Sequence, residues 1–414
     1  METPVDNRGL RTQLDRIADR AAPMRALLEQ LAAINSGSHN AAGVARVAAQ
    51  LQRACEPLGA HGERLPVAPA TLIDENGAPR EQPLGPALSL RKHPRAPLQV
   101  LLVGHLDTVF PADSPFQSVS ARGSRLHGPG VADLKGGLVV MLHALLALEA
   151  SPWAGRLGWR VLLNPDEEIG SPGSAPLLAA AAGEAHIGLV YEPSMPDGAL
   201  ARLRRGSGNF TLVVRGRAAH AGREHHLGRN AVAALADAVR ALDQLNRRRD
   251  GITVNPARII GGGPSNVVPD HAQMSFNLRS GSADDQRWLQ GQIDAIVAEL
   301  DARDGIRAEL HGGFTRPPKV ETPAYAALRG LLEDCAGRLG ESLAWRDTGG
   351  CCDGNNLAAA GLANVDTLGV IGGGIHSVDE YMELDSLVSR TRLSALLLIR
   401  LAKGELTWPT ENTE

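Results

Sequence analysis

From Leu98 onward, short continuous apolar runs alternate with longer stretches of helical spacing. The runs are LQVLLVGH (98–105), WRVLLNPDEE (159–168) and HIGLVYEPS (186–194), separated by DLKGGLVVMLHALLALEA (133–150) and GSAPLLAAAAGE (173–184). Runs without polar alternation mark strands buried on both faces, and strand-helix-strand order makes such strands parallel. The pattern therefore predicts an α/β fold, a mostly parallel sheet flanked by helices. Ligands of such sheets bind beyond the carboxyl ends of the strands. His105, the acids that follow Leu163, and Glu192 all fall there.

Upstream, Met24–Ile34 and Ala42–Cys55 carry helical spacing, and Asn40 is placed to cap the second. The Pro- and Gly-rich stretch from Ala68 to Pro97 predicts an irregular excursion or an edge hairpin. Near Arg204 the texture changes to alternation in NFTLVVRGRA (209–218). A capped helix over Asn230–Asn246 follows, then two strand candidates around GGGPSNVVPDHAQMSFNLRS (261–280), a helix over Asp284–Leu300, and RAELHGG (307–313). That β-α-β-β-α-β order suggests a ferredoxin-like α+β insertion, dividing the chain into 1–203, 204–316 and 317–414, with the first sheet completed by the last part.

Composition narrows the function classes. With 414 residues, 43% apolar and 21% charged, the chain reads as an ordinary globular protein with room for two domains. A net charge of −4 and an aromatic content of 3% give no reason to expect nucleic acid. No run approaches the roughly 18 apolar residues of a membrane span, and the N-terminus has no apolar segment behind a basic start. A cytoplasmic protein without a membrane partner is expected. Cys55, Cys335, Cys351 and Cys352 form neither a disulfide framework nor the paired CxxC of a structural zinc site.

Asp166, Glu167 and Glu168 stand in a row at the end of a buried strand, where mutual repulsion is poorly screened. A cation nearby is the physical expectation; a solvated turn is the bland alternative. Singly, a buried histidine is more often core, and an acid at a strand end is often a helix cap. Together, His105, Asp133, the Glu167–Glu168 pair, Glu192 and His376 propose a metal site, because imidazole and carboxylate suit zinc and no HExxH helix explains them. The two oxygens of Asp133 can bridge cations about 3.5–4 Å apart, leaving one histidine and one glutamate for each. Asp107, two residues beyond His105, is placed to accept the other ring N–H and fix the tautomer.

HLDTVFP, GPGVADLKGG, PDEEIGS, VYEPS, RAAHAG, SNVVP and GIHSVDEY occur in this order from roughly Val103 to Glu380. They resemble the successive motifs of the zinc aminoacylase/carboxypeptidase family of metallopeptidases. That family includes folate-cleaving glutamate carboxypeptidases, aminoacylase, acetylornithine deacetylase and succinyl-diaminopimelate desuccinylase. The resemblance implies a di-zinc domain made of 1–203 and 317–414, interrupted by a lid and dimerisation domain, 204–316, hence a homodimer. It implies that His105, Asp133 and Glu192 hold one Zn2+, and Asp133, Glu168 and His376 the other, with Co2+ or Mn2+ able to stand in. Glu167 is then the general base beside a metal-bridging water, Asp107 counts among the catalytic residues through its hold on His105, and Asp166 is a dispensable turn residue. His220 matches a histidine that reaches the partner subunit's site and stabilises the oxyanion. Asn266 matches a polar lid residue near the substrate, and Arg279 an arginine that binds the substrate carboxylate. Arg316 is either a second anion contact or a surface arginine beside two prolines.

Glu192, where aminopeptidases and dipeptidases of that family tend to carry Asp, points to an amide with a free carboxylate on the leaving side. N-acyl amino acids and short peptides losing a C-terminal residue fit, with most motifs nearest the glutamate carboxypeptidase branch. Three departures stand out: Leu134 after Asp133, Cys351-Cys352 in a loop near the site, and no lysine near Ala199–Arg202, where Arg202 or Arg204 is the substitute. The alternatives are an acetylornithine-type deacetylase, an aminopeptidase or dipeptidase, and a metal-free relative that binds peptides without cutting them. A phosphate-loop reading of GPGVADLKGG fails on its glycine spacing and the missing terminal Lys-Ser/Thr.

Overall fold

The computed structural model describes residues 4–406. Its largest sheet runs, in spatial order, His61–Leu65, Ala87–Lys92, Leu157–Asn164, Leu98–His105, Ile187–Val190 and Asn364–Val365. The last four are parallel, whereas each of the first two joins its neighbours antiparallel. The stretch expected to be irregular therefore supplies a sheet strand, with Ala87 to Leu90 buried between flanking prolines. Before it, Ala70–Ile73 and Pro79–Gln82 form a hairpin.

Register sets the rim on which the chemistry stands. His105 lies level with Asn164, and Val103 with Val190. The residues that follow, Asp166 to Glu168 and Glu192, consequently leave the sheet beside His105. The helix Lys135–Glu149 is buried on nearly every face, between this sheet and the helix Ser386–Lys403, which accounts for its continuous apolar composition. Gly137 permits the close approach: a Cβ there would lie 2.0 Å from the carbonyl oxygen of Tyr191. Asp133, just ahead of that helix, is thereby held over the strand end that leads to Glu192.

Between Gly206 and Arg316 the chain builds a second, antiparallel sheet in the order Thr253–Gly261, His271–Ser280, Gly206–Arg215, Arg307–Arg316. The helices Ala231–Leu245 and Ala283–Asp301 cover it, capped by the side chains of Asn230 and Ser282. Phe210, Leu235, Met274, Phe276 and Leu289 belong to a core of its own. The Ala70–Gln82 hairpin reaches this sheet: Arg215 Nη2 donates to the Asn76 carbonyl at 2.9 Å, and Gln273 Nε2 to that of Asp74 at 3.0 Å. No helix among the described residues is long and apolar enough to cross a membrane.

Candidate active site

His105 ends its strand with Nε2 at 3.1 Å from Asp133 Oδ1 and 3.8 Å from Glu192 Oε1. His376 Nε2 lies 3.2 Å from Asp133 Oδ2 and 3.1 Å from Glu168 Oε2. Asp133 thus presents one oxygen to each histidine, as a bridging carboxylate does. Ligand atoms of His105, Glu167 and Glu192 lie within 4.8 Å of one another, as do those of His105, Asp133 and Glu168. His376 is the exposed member, on a loop at φ 63, in the left-handed region that few non-glycine residues enter.

Two further carboxylates hold this cluster in shape. Asp107 accepts the Glu167 N–H on Oδ1 and the Glu168 N–H on Oδ2, both at 3.2 Å, and Ser38 Oγ donates to it at 2.7 Å. The His105 Nδ1 lies 3.0 Å from the Asp107 carbonyl and 3.3 Å from its Oδ1. One buried side chain therefore sets both the imidazole and the acid pair. Glu380 accepts the N–H groups of Gly130, Ala132 and Asp133 at 2.9–3.1 Å, fixing the loop that carries the bridging aspartate.

The electrostatics call for positive charge. Burial, opposed by Arg316, pushes Glu167 up to about 7; burial with the Asp133 charge takes Glu168 up to about 8. Burial and Asp133 raise Glu192 well above the carboxylate range. Asp133 shifts down, because His105 and His376 together outweigh its own burial. His376 rises to about 11 through its hydrogen bonds to Asp133 and Glu168. Four carboxylates share one buried space with two imidazoles, so protons or cations must balance them. Glu192 Oε1 is buried without a hydrogen-bond partner among the described residues, an orphan that a cation satisfies. The nitrogen and oxygen donors fit zinc or a similar divalent ion.

Residues 101–400 match the family described as peptidase family M20/M25/M40. The chain belongs to that family. Carboxypeptidase G2 of Pseudomonas sp. (strain RS-16) is 29% identical over 74% of this chain and 74% of that protein. A succinyl-diaminopimelate desuccinylase of Nitrosococcus oceani is 30% identical over 75% of this chain and 85% of that protein. The di-peptidase Dug1p of Saccharomyces cerevisiae superposes with a TM-score of 0.71 at 16% identity, covering 95% of this chain and 98% of that one. The metallo-carboxypeptidase Sso-CP2 of Sulfolobus solfataricus gives 0.71 at 16%, covering 92% and 99%. At such identities the structures show a shared α/β fold. Metallopeptidases of the M20 family use divalent metals, and the chain is a hydrolase of this metallopeptidase and amidohydrolase group.

A cavity of about 340 Å³ opens onto the cluster, lined by Asp133, Glu167, Glu192, Arg204, Cys351 and His376 among others. Arg279 is close to this lining, with Nη1 2.9 Å from Cys351 Sγ. Arg202 is paired outside with Asp347 at 2.8 Å, and Arg204 inside with Asp366 at 2.8 Å. His220 and Asn266 stand exposed on the second unit. The Nδ1 of His220 accepts the N–H groups of Gly222 and Arg223, and the Asn266 carbonyl accepts that of Ala221.

Two expectations require correction. Arg316 is neither a surface arginine nor an open anion contact: it is 6% exposed, with Nη2 2.6 Å from Glu167 Oε1. Asp166 is not a dispensable turn residue. It is fully buried and accepts Ser174 Oγ at 2.5 Å and the Gly173 and Ser174 N–H groups at 2.6 and 3.2 Å, anchoring the next helix. Sequence reasoning passed over Asp353, which faces Arg316 and Asn164 from the start of the short helix Asp353–Ala359, nearly 190 residues downstream of Asn164. Its only sequence signal is an acid at the start of a short helix after two glycines and two cysteines.

Proposed function

We propose that the chain is a zinc-dependent hydrolase of amides carrying a free carboxylate on the leaving side, either N-acyl amino acids or the C-terminal residues of short peptides. The observation that carries this reading is Asp133, one oxygen toward His105 and the other toward His376, inside an acid-rich buried cluster. His105, Asp133 and Glu192 would hold one cation, and Asp133, Glu168 and His376 the other. When bound, such cations polarise a carbonyl and bring a water's pKa down to about 7.

Glu167 is the base: it takes the proton of the attacking water and returns it to the leaving nitrogen. Its pairing with Arg316 separates it from the ligands, although one of its oxygens lies within 4.8 Å of ligand atoms of His105 and Glu192. Asp107 keeps the His105 ring oriented. Arg279, whose planar fork suits a carboxylate, binds the substrate's free acid beside Cys351. A release assay over N-acyl and peptidyl amino acids, with zinc, manganese and cobalt, tests the reading. Preference for substrates with a free carboxylate is expected, and equal turnover of their amides would refute it. A deacylase specificity is supported by the relatives named succinyl-diaminopimelate desuccinylase, and the same panel separates it from carboxypeptidase action.

His220 and Asn266 enter from the second copy of a homodimer formed through residues 204–316. Leu227, Val232, Ile259 and Val267 support this, as large apolar side chains left exposed on that unit. Mixing His220→Ala with Glu167→Gln chains should restore some turnover, since one of the two sites then holds both native residues. No recovery in verified heterodimers would rule out action across the interface.

A further inference from the structure

Arg316 closes the last strand of the second sheet, yet its guanidinium is directed into the first. Nη2 lies 2.6 Å from Glu167 Oε1, 2.8 Å from the Glu167 carbonyl oxygen and 3.2 Å from Ser171 Oγ. Asp353 Oδ1 stands 3.7 Å from the same nitrogen. Asp353 is itself fixed by Ser171 Oγ at 2.5 Å and Asn164 Nδ2 at 2.9 Å, and Asn164 ends the strand beside His105.

The guanidinium thus grips the carboxylate and the carbonyl of one and the same residue. A glutamate side chain has three rotatable bonds, and holding both its ends removes most of that freedom. With Oε1 engaged, Oε2 accepts no hydrogen bond among the described residues, while Glu167 lines the cavity. Arg316 is 6% exposed and already faces two carboxylates, which leaves it poorly placed to receive a substrate anion. Arg279 is the more accessible of the two guanidinium groups near Cys351.

We propose that Arg316 is a positioning residue for the general base, a clamp that aims Glu167 Oε2 at the attacking water. The proposal rests on the assignment of Glu167 above. Because Arg316 ends a strand of the second sheet and Glu167 stands in the short turn that follows the strand Leu157–Asn164 of the first, the relative placement of the two sheets is transmitted to the base.

Arg316→Ala should lower kcat about 100-fold, the cost of misaligning a reacting group by roughly 1 Å, with KM changed less than about threefold. Metal content measured on the same full-length protein should remain that of the parent. Millimolar guanidinium should restore part of kcat. A raised KM with kcat intact would make Arg316 a substrate contact, and loss of metal would make it a structural support; either overturns the clamp. Arg316→Lys keeps the charge but is shorter and lacks the rigidly placed Nη2 that meets both the carboxylate and the carbonyl of Glu167, so it should show a kcat loss even if the alanine variant folds poorly. Full activity in Arg316→Lys also overturns the proposal.

Glu167→Gln separates the two assignments. In that background Arg316→Ala should cost less than about threefold more, because there is no base left to aim. Independent, multiplied losses would sink the clamp and leave the base standing. An active Glu167→Gln enzyme would sink the base itself.

Discussion

Glu167→Gln should retain its metal and lose turnover by about 10²- to 10⁴-fold, the usual contribution of a general base. Glutamine keeps the shape of the side chain, and its carbonyl oxygen can still accept from Arg316, which now sits 2.6 Å from Oε1. An amide cannot take a proton, so the defect falls on chemistry. Without cations, burial, against the pull of Arg316, pushes Glu167 up to about 7; nearby cations would favour its ionised form, the form that accepts a proton from water. The measurement is kcat alongside elemental analysis of the same preparation. Parent turnover with metal intact would remove Glu167 from the proton path, and lost metal would make it a ligand, as its nearness to His105 and Glu192 also allows.

Legibility of this site in the sequence follows the range of the contacts that build it. His105 and Glu192 can be located because parallel strands announce themselves as apolar runs, and their ends share one rim. The acid pair is visible as an electrostatic anomaly. Asp133 stands out only as a member of the set, since nothing local shows that it faces both His105 and His376. Glu380 and Asp353 act through partners more than 180 residues away, which no local periodicity encodes. Arg316 misleads for the same reason: two following prolines resemble a surface turn, whereas the turn carries the chain from the second sheet back beneath Glu167. The strand Ala87–Lys92 is hidden by neighbouring prolines, although a sheet strand needs only its own few residues free of them. Asp166 misleads because three adjacent acids look interchangeable, and only the fold gives them separate partners.

Asp133→Ala should do the most damage, because one side chain serves both proposed cation sites. Each histidine would lose the oxygen now 3.1 or 3.2 Å from its Nε2. Metal should fall from two ions to at most one per chain, and turnover by about 10³-fold or more, since the Lewis-acid contribution is worth several kcal/mol. Two ions retained in the variant would show that Asp133 does not bridge. Acid should act in the same direction reversibly. Without cations burial and the Asp133 charge push Glu168 up to about 8, and hydrogen bonds to Asp133 and Glu168 raise His376 to about 11, so near neutrality this pair holds protons that a binding ion must displace. Affinity should therefore weaken as pH falls, by up to about tenfold per pH unit for each proton released. Competition against a chromophoric chelator between about pH 6 and 8 measures that slope. A flat profile would mean that the ion binds without displacing these protons, and the proposed ligand set would have to be redrawn around other residues.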